Sequence, residues 1–509
     1  MFRSDRFVTM RNRNSIGWGW VGLGLILLAG APVWSQDEPR TVPATAATGP
    51  VSDVPSTDDT GRMLTPPPVN GQSYPAVPAS EERSNYLRGG VAFTTAYTDN
   101  AVGPVTPPNC TQPSLSGPCE AQPVSDVSYS VAPFIALDEA TPRLHLALTY
   151  APGFTFYQRE TSLNEADQNA SIDLEYRLSP HVTFSARDGF QKSSNVFNQP
   201  DLASAAAVTG STEAANFSVI APIADRLSNS GDAGITYQFA ANSMVGASGT
   251  FTNLHYPNQA EVPGLFDSGS QSGSAFYSLR IARRHYMGAV YQYQRLLAYP
   301  VPGTNETQTN AVLVFYTVYL RPRFSISFFG GPQYADVGPQ FFETACPPPT
   351  GVPPVPAVPP CFAPASPGSR NWNPAAGGSL GWQGHLSSVA VSYVHLISSG
   401  SGLIGAVRMD NASASLRQQL TRRLSASVGG GYTQNDVLAA PPPGQVVSYN
   451  GHTILGTAGL QQQFGQHLNL QLGYTRLHQD YTSVAVLATP NTNREFVSIS
   501  YQFAKALGR

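Results

Sequence analysis

The feature that most constrains the fold is a two-residue alternation of apolar and polar side chains that continues from Tyr86 to Phe503. In residues 468–475, for example, leucines and a tyrosine alternate with asparagine, glutamine, glycine and threonine. Successive side chains of a β-strand point to opposite faces, so this pattern predicts strands with one apolar and one polar face. Charged residues make up only 12% of the chain, against about 25% in soluble domains, which favours strands and polar loops over helices around a soluble core.

The connections between the predicted strands alternate strictly between short turns and long loops. The short turns lie at 137–144, 177–182, 239–244, 281–286, 320–324, 382–386, 420–424 and 464–468. The long loops cover approximately 98–125, 158–168, 191–229, 257–272, 299–309, 336–371, 398–404, 436–449 and 479–493. A soluble sandwich has no reason to keep this order, whereas a transmembrane barrel has short periplasmic turns and long extracellular loops. We therefore predict an all-β, transmembrane antiparallel up-and-down β-barrel of about eighteen strands, within a range of about 16–18.

The two faces of each predicted strand should meet lipid and water. Strand 494–503 places Val497, Ile499, Tyr501 and Phe503 on one face and serine and glutamine on the other. Tyrosines near strand ends suit interfacial girdles; they are Tyr97, Tyr150, Tyr157, Tyr176, Tyr237, Tyr256, Tyr299, Tyr432, Tyr474 and Tyr501. A soluble antiparallel sheet also alternates, with its apolar face against a second sheet. Segment 311–320 is apolar on both faces, so either the lumen is locally apolar or a plug or neighbouring chain covers it.

The first residues have the composition of an export signal. Four arginines precede an apolar run from Ile16 to Ala31, and Val33 and Ser35, on either side of Trp34, are small enough for cleavage before Gln36. The run is shorter than the about 20 residues of a membrane helix, which favours a signal peptide at 1–35 over a transmembrane anchor. Elsewhere no segment approaches that length, so a membrane-spanning mature chain requires a closed barrel.

Two further segments complete the predicted domain organisation. Residues 36–84 are rich in Pro, Thr and Ala and nearly lack large apolar side chains, which predicts a disordered periplasmic linker. Residues 85–509 form the predicted barrel. The four cysteines fall in two predicted outer loops, where Cys110 with Cys119 and Cys346 with Cys361 suit two local disulfides of an oxidising compartment.

Charged residues on the polar faces of strands are candidates for lining a lumen and tuning ion selectivity. They are Asp173, Glu175, Arg177, Arg187, Arg280 and Arg417. Each could equally be a solvated or paired charge without a selective role. The sequence predicts no catalytic, cofactor-binding or metal site, because no nucleophile motif, phosphate loop or metal cluster stands out. With a net charge of −3 the chain also shows no basic patch for nucleic acid.

The last strand resembles the C-terminal assembly signal of bacterial outer-membrane β-barrels, which combines alternating hydrophobics with a terminal aromatic. Val497, Ile499, Tyr501 and Phe503 match that signal, although residues 504–509 extend beyond the aromatic. In its alternation and its repeated short turns, region 86–503 is also similar to porin-like proteins found near exopolysaccharide export systems. The resemblance implies the bacterial outer membrane as location, with lipid, lipopolysaccharide and the barrel-assembly machinery as partners.

Three functions are compatible with these features. The first is a passive porin-like channel for small hydrophilic solutes, since barrels of about 16–18 strands leave an aqueous lumen. The second is a non-enzymatic structural or secretion-linked barrel associated with polysaccharide export, tethered to periplasmic or envelope proteins through 36–84. The third, a barrel enzyme with Ser, His and an acid at the rim, is disfavoured because the histidines lie near turns and lack a nucleophile motif.

Overall fold

The computed structural model describes residues 85–101, 124–195, 223–258, 265–299, 303–321, 323–339, 368–384, 386–399, 405–438, 450–465, 467–481 and 491–507. The predicted signal peptide, the linker and all four cysteines lie outside these residues. No helix in the described ranges is long and apolar enough to cross a membrane.

The described residues form eighteen β-strands and one short 3-10 helix at Thr161–Leu163. The strands are β1 (Tyr86–Thr98), β2 (Asp126–Ala140), β3 (Leu144–Tyr157), β4 (Glu165–Ser179), β5 (Val182–Asn195), β6 (Ile223–Ala240), β7 (Ser243–His255), β8 (Ser268–Ala282), β9 (His285–Ala298), β10 (Asn305–Arg321), β11 (Phe324–Val337), β12 (Ser369–Gln383), β13 (Ser387–Ser399), β14 (Ala406–Gln419), β15 (Leu424–Val437), β16 (Gly451–Phe464), β17 (Leu468–Tyr481) and β18 (Thr492–Ala506).

The sheet closes on itself. Each strand pairs antiparallel with the strands before and after it in the chain, and β1 also pairs with β18. The closing ladder runs from Tyr86 opposite Ala506 to Thr98 opposite Arg494. The predicted all-β, up-and-down antiparallel barrel and its strand number are therefore confirmed. The last strand continues past Phe503, because residues 504–506 still pair with β1.

Short turns join the strands at one end of the barrel, and longer connections join them at the other. Each predicted short turn contains the junction between two consecutive strands, but several predicted loops were too wide. Residues 191–195 and 223–229 belong to β5 and β6, and β8 begins at Ser268. The predictions failed there because these segments are rich in serine, glutamine, asparagine and glycine, a composition that also suits loops.

Large apolar side chains cover the outer face of the wall. Phe93, Ile135, Phe251, Val312 and Ile499 are between 47% and 57% exposed, although apolar side chains of this size are ordinarily buried. Eight of the ten predicted girdle tyrosines are likewise exposed, whereas Tyr157 and Tyr256 are 6% and 3% exposed and lie on the inward side. A closed barrel with an outward apolar face satisfies its backbone in lipid, so the protein is a transmembrane β-barrel.

The carboxylate of Asp188 interrupts this outer apolar face within β5. Asp188 lies opposite Ile172 of β4 and Gly231 of β6, both on the outer side of the wall. It borders a groove of about 510 Å³ that is otherwise lined mainly by apolar residues of β1 to β5, among them Leu137 and Phe190.

The ladder between β1 and β18 is reinforced by an aromatic ring. Phe503 covers Gly89, where a Cβ atom would lie only 2.5 Å from the Phe503 Cζ. The four residues of the proposed assembly signal all face outward and are about half exposed. The terminal aromatic therefore packs directly across the junction that closes the barrel.

Candidate channel lumen and constriction

All six candidate lumen charges lie on the inner side of the wall, because each shares the strand face opposite the exposed apolar residues. Asp173, Glu175 and Arg177 alternate on β4 with outward Ile172, Tyr176 and Leu178. Arg187 lies opposite Asp173, Arg280 occupies the serine-rich face of β8, and Arg417 alternates with outward Leu416. Their effect on ion selectivity stays a prediction.

Acidic and basic side chains lie next to one another on the inner faces of β4 to β6. Arg187 Nε lies 2.9 Å from Asp173 Oδ2, and Arg187 is also paired in register with Asp232 of β6. On β4, Arg177 Nε lies 3.9 Å from Glu175 Oε1. The Arg187 side chain is 62% exposed, so this ion pair contributes no more than about 1 kcal/mol to stability. Positive and negative groups therefore face the lumen together.

The two remaining arginines have different surroundings. Arg280 Nε donates to Asn242 Oδ1 at 2.9 Å, and its Nη2 donates to the Ala241 carbonyl at 2.9 Å. Arg280 thus fastens the turn between β6 and β7. Arg417 is half-buried between Ser388 and Ser427 of the neighbouring strands.

Hydroxyl pairs line the inner faces of β7 and β8. The Oγ atoms of Ser248 and Ser274 lie 2.7 Å apart, and two further pairs follow above them. These are Thr250 with Ser272 at 2.6 Å and Thr252 with Ser270 at 2.7 Å. Cross-strand hydroxyl pairs stabilise a sheet while keeping its surface polar. With the charged pairs of β4 to β6, they form a continuous polar surface, here named the polar track.

The wall of the lumen next to the polar track is apolar. Residues of β9 to β13 form one buried cluster, here named the luminal apolar cluster: Val290, Ala311, Leu313, Phe315, Phe329, Ala375 and Val394. Phe276 of β8 packs against it. Of the two explanations for the apolar segment 311–320, the structure therefore favours a locally apolar lumen.

The extracellular end of the β13–β14 hairpin leaves the wall and enters the lumen. Odd-numbered residues of β13 such as Tyr393 face outward, and Ile397 shares that side. Ile397 is nevertheless fully buried, against Leu296 of β9 and Ala335 of β11, which lie on the inner face of the wall. β13 also approaches β8, β9 and β11, with which it shares no ladder.

The inward side chains of β14 reach residues on other strands across the lumen. Val407 and Met409 of β14 form a cluster with Tyr256, Leu265 and Tyr481, here named the rim constriction. The Tyr481 hydroxyl accepts from Asn435 Nδ2 at 3.1 Å and lies 3.2 Å from the Thr453 hydroxyl. Burial raises the pKa of Tyr256, which follows the end of β7, to about 12. The constriction therefore narrows the extracellular half of the lumen with packed, nearly inaccessible side chains.

No known protein family and no curated protein matches the sequence. Three solved structures are similar at a low level. OccAB4 of Acinetobacter baumannii is 8% identical, covers 84% of this chain and 100% of its own, and has a TM-score of 0.36. The outer membrane protein OpdK of Pseudomonas aeruginosa is 9% identical, with 82% and 99% covered and a TM-score of 0.36. The ferric citrate transporter FecA is 9% identical, with 82% and 64% covered and a TM-score of 0.39. Similarity of this size carries no argument about function.

The chain's own geometry assigns its membrane. Closed antiparallel barrels with short turns at one end and long loops at the other are the architecture of bacterial outer membranes. The protein is a bacterial outer-membrane β-barrel. In the part of the chain that the structure describes, no group of three or more His, Cys, Asp or Glu residues could hold a metal ion.

The sequence did not reveal the constriction or the luminal apolar cluster as structural units. Both bring together residues that are distant along the chain, such as Tyr256 and Met409. The available signal was segment 311–320, where the strand face opposite the lipid is apolar instead of polar. That signal marks one strand of the luminal apolar cluster, and the remaining members come from strands with mixed inner faces.

Proposed function

We propose that the protein is a passive channel through which small hydrophilic solutes diffuse across the outer membrane. The polar track supports this proposal, because it supplies hydroxyl and charged groups along one inner wall from Thr252 to Arg177. Barrels of about 16–18 strands are wide enough to leave an aqueous lumen.

The rest of the lumen restricts what can pass. The luminal apolar cluster covers the inner face of the neighbouring strands β9 to β13, and the rim constriction crosses the lumen near its extracellular end, so solutes would follow the inner face of β4 to β8. We expect a smaller conductance than an unobstructed barrel of this size would have. Because Asp173 and Arg187 face the lumen as a pair, we also expect weak preference between cations and anions.

Single-channel recording in planar bilayers tests this function. The purified protein should give stepwise conductance, and Met409→Ala should raise the step size because Met409 belongs to the rim constriction. Leu416→Ala is the matched control, since Leu416 lies on the same strand but is 44% exposed on the outer face. Heat-modifiable migration on gels establishes that each variant is folded. A folded barrel that gives no steps would contradict the proposal.

A second candidate is a non-enzymatic structural or secretion-linked barrel associated with polysaccharide export. The close packing of the rim constriction favours it, because Val407 and Met409 are at most 4% exposed. A pull-down with the full chain and with a variant lacking 36–84 tests this candidate. Silent bilayers, together with a partner that is lost on deletion, would support it over the channel.

A further inference from the structure

The barrel wall has a lateral break between β12 and β13. β12 pairs with β11 as far as Ser369, but its ladder with β13 ends at Ala376 opposite His395. β13 continues to pair with β14 as far as Ser399. Within the described strands, residues 369–375 of β12 and 396–399 of β13 therefore share no ladder. This gap, here named the wall seam, is where the last residues of β13 turn inward.

Two residues reduce the free-energy cost of leaving backbone groups unpaired at this seam. An unpaired backbone group in lipid costs several kcal/mol, which is why membrane barrels are otherwise fully paired. Pro374 has no N–H group to leave unpaired. The Ile397 N–H donates instead to the Gln333 side chain, whose Oε1 lies 3.0 Å away on the inner side of β11. The break is thus stabilised by particular side chains.

The seam lies at the level of the outer leaflet. Trp382 and Trp372 occupy the same outer face of β12, near its two ends. The two tryptophans are ten residues apart, and ten residues of a strand tilted by about 40° rise about 25 Å along the barrel axis. This distance matches the height of the apolar band of such barrels. The ladder ends at Ala376, four residues below Trp372. The seam therefore begins just beneath the outer girdle and continues past it towards the extracellular end of the wall.

An apolar cleft lies on the outer face of β11 and β12, next to the part of β12 that is unpaired with β13. It has a volume of about 470 Å³ and is lined by Gly330, Gly331, Pro332, Trp372, Asn373, Pro374, Ala375 and Ala376. Trp372 stands beside it with 73% of its surface exposed. Ala375 lines this cleft and is also a member of the luminal apolar cluster. Apolar residues thus lie on both the lipid side and the luminal side of the wall at the unpaired edge of β12.

Polar groups stand at the edge of the cleft. His395 Nδ1 and the Tyr393 hydroxyl each lie 2.7 Å from Asp410 Oδ1, on the outer side of β13 and β14. Asn373 Nδ2 lies 3.4 Å from His395 Nε2 across the seam. A polar group inside an apolar band is costly unless it has a partner. Beside an apolar cleft, this group suits the uncharged headgroup of an amphiphile.

We propose that the wall seam is a lateral portal through which a single-chain amphiphile enters the luminal apolar cluster from the outer leaflet. Its acyl chain lies along the cleft and passes Ala375, and its hydroxylated headgroup bonds to the His395–Asp410 pair. This activity goes beyond aqueous diffusion, because its route and its ligand differ from those of the polar track.

A fluorescence experiment on the full chain in phospholipid nanodiscs tests the portal. The chain contains only five tryptophans, at 18, 20, 34, 372 and 382, so replacing them with phenylalanine and adding Phe276→Trp leaves one reporter beside the luminal apolar cluster. The probe is a monoacylglycerol brominated in the middle of its acyl chain. We expect saturable quenching of this reporter, whereas a variant retaining only Trp382 should lose emission in proportion to the probe content.

Closing the passage supplies the control. Ala375→Phe should abolish the luminal quenching, and Ala375→Leu serves if the larger substitution prevents folding. Ala414→Phe, on the exposed outer face of β14, should leave the quenching unchanged. The absence of saturable quenching, or quenching that persists with position 375 filled, would overturn the portal. Conductance recorded on the same variants reports separately on the aqueous channel, so either proposal can fail alone.

Discussion

The replacement of Phe315 by alanine tests whether the luminal apolar cluster is a dry, packed core within the barrel. Phe315 is 1% exposed and lies among Val290, Leu313 and Phe329. Phe328 of the neighbouring strand is the matched control, because it is 49% exposed on the lipid side. The two substitutions remove the same atoms, and they differ only in what can fill the space left behind.

The expected magnitudes follow from that difference. Each substitution loses about 1.5–3 kcal/mol of transfer free energy, since both rings leave water when the barrel inserts. At position 315 the ring also leaves a void of about 100 Å³, which adds about 2.4 kcal/mol at the usual cost per volume. We therefore expect destabilisation of about 4–5 kcal/mol for Phe315→Ala. At position 328 lipid chains fill the space, so the loss should stay at about 1.5–3 kcal/mol.

Reversible urea unfolding from lipid vesicles, followed by tryptophan emission, measures both free energies. The slope of free energy against urea should be the same for the two variants, so that the midpoints report stability. A Phe315→Ala cost equal to or below that of Phe328→Ala would refute the reasoning. It would mean that water already reaches the ring and that the cluster lines an open, wet pore.

Three further predictions concern single positions. In a salt gradient across a bilayer, Arg187→Ala should shift the reversal potential towards cation selectivity and Asp173→Asn should shift it the opposite way; unchanged potentials would place both charges off the solute path. Gly288→Ala should destabilise the barrel by about 1–3 kcal/mol in the same urea assay, because the added Cβ would lie 2.0 Å from the Tyr277 carbonyl oxygen. Gly273→Ala is the control and should be neutral, since its Cβ would have no atom within 4 Å. Equal effects of the two substitutions would contradict the packing argument. Asp188→Leu should stabilise the barrel by about 1 kcal/mol by removing a lipid-facing carboxylate, and a loss of stability would show that Asp188 has a partner in the membrane.

The sequence predicted the outer surface of the barrel more accurately than its interior. The outward face of β18 was identified residue by residue, from Val497 to Phe503, because lipid imposes a strict requirement on every second side chain. Tyr157 and Tyr256 were wrong as girdle residues, since a tyrosine near a strand end can occupy either face. Loop bounds failed at β5, β6 and β8, where runs of serine, glutamine, asparagine and glycine resemble loop sequence.

The sequence by itself determined the closed barrel, its strand number and which side of each strand meets lipid. Those properties depend on local alternation and on turn length, which are read along the chain. Only the tertiary structure decided that Ile397 at the end of β13 turns into the lumen, that Val407 and Met409 meet Tyr256 and Tyr481, and that the ladder opens beside Pro374. These contacts join strands on opposite walls, and two inner faces can meet in many ways that satisfy the same alternation. Packing across the lumen chooses among them, and packing depends on the shapes of side chains that are far apart in sequence.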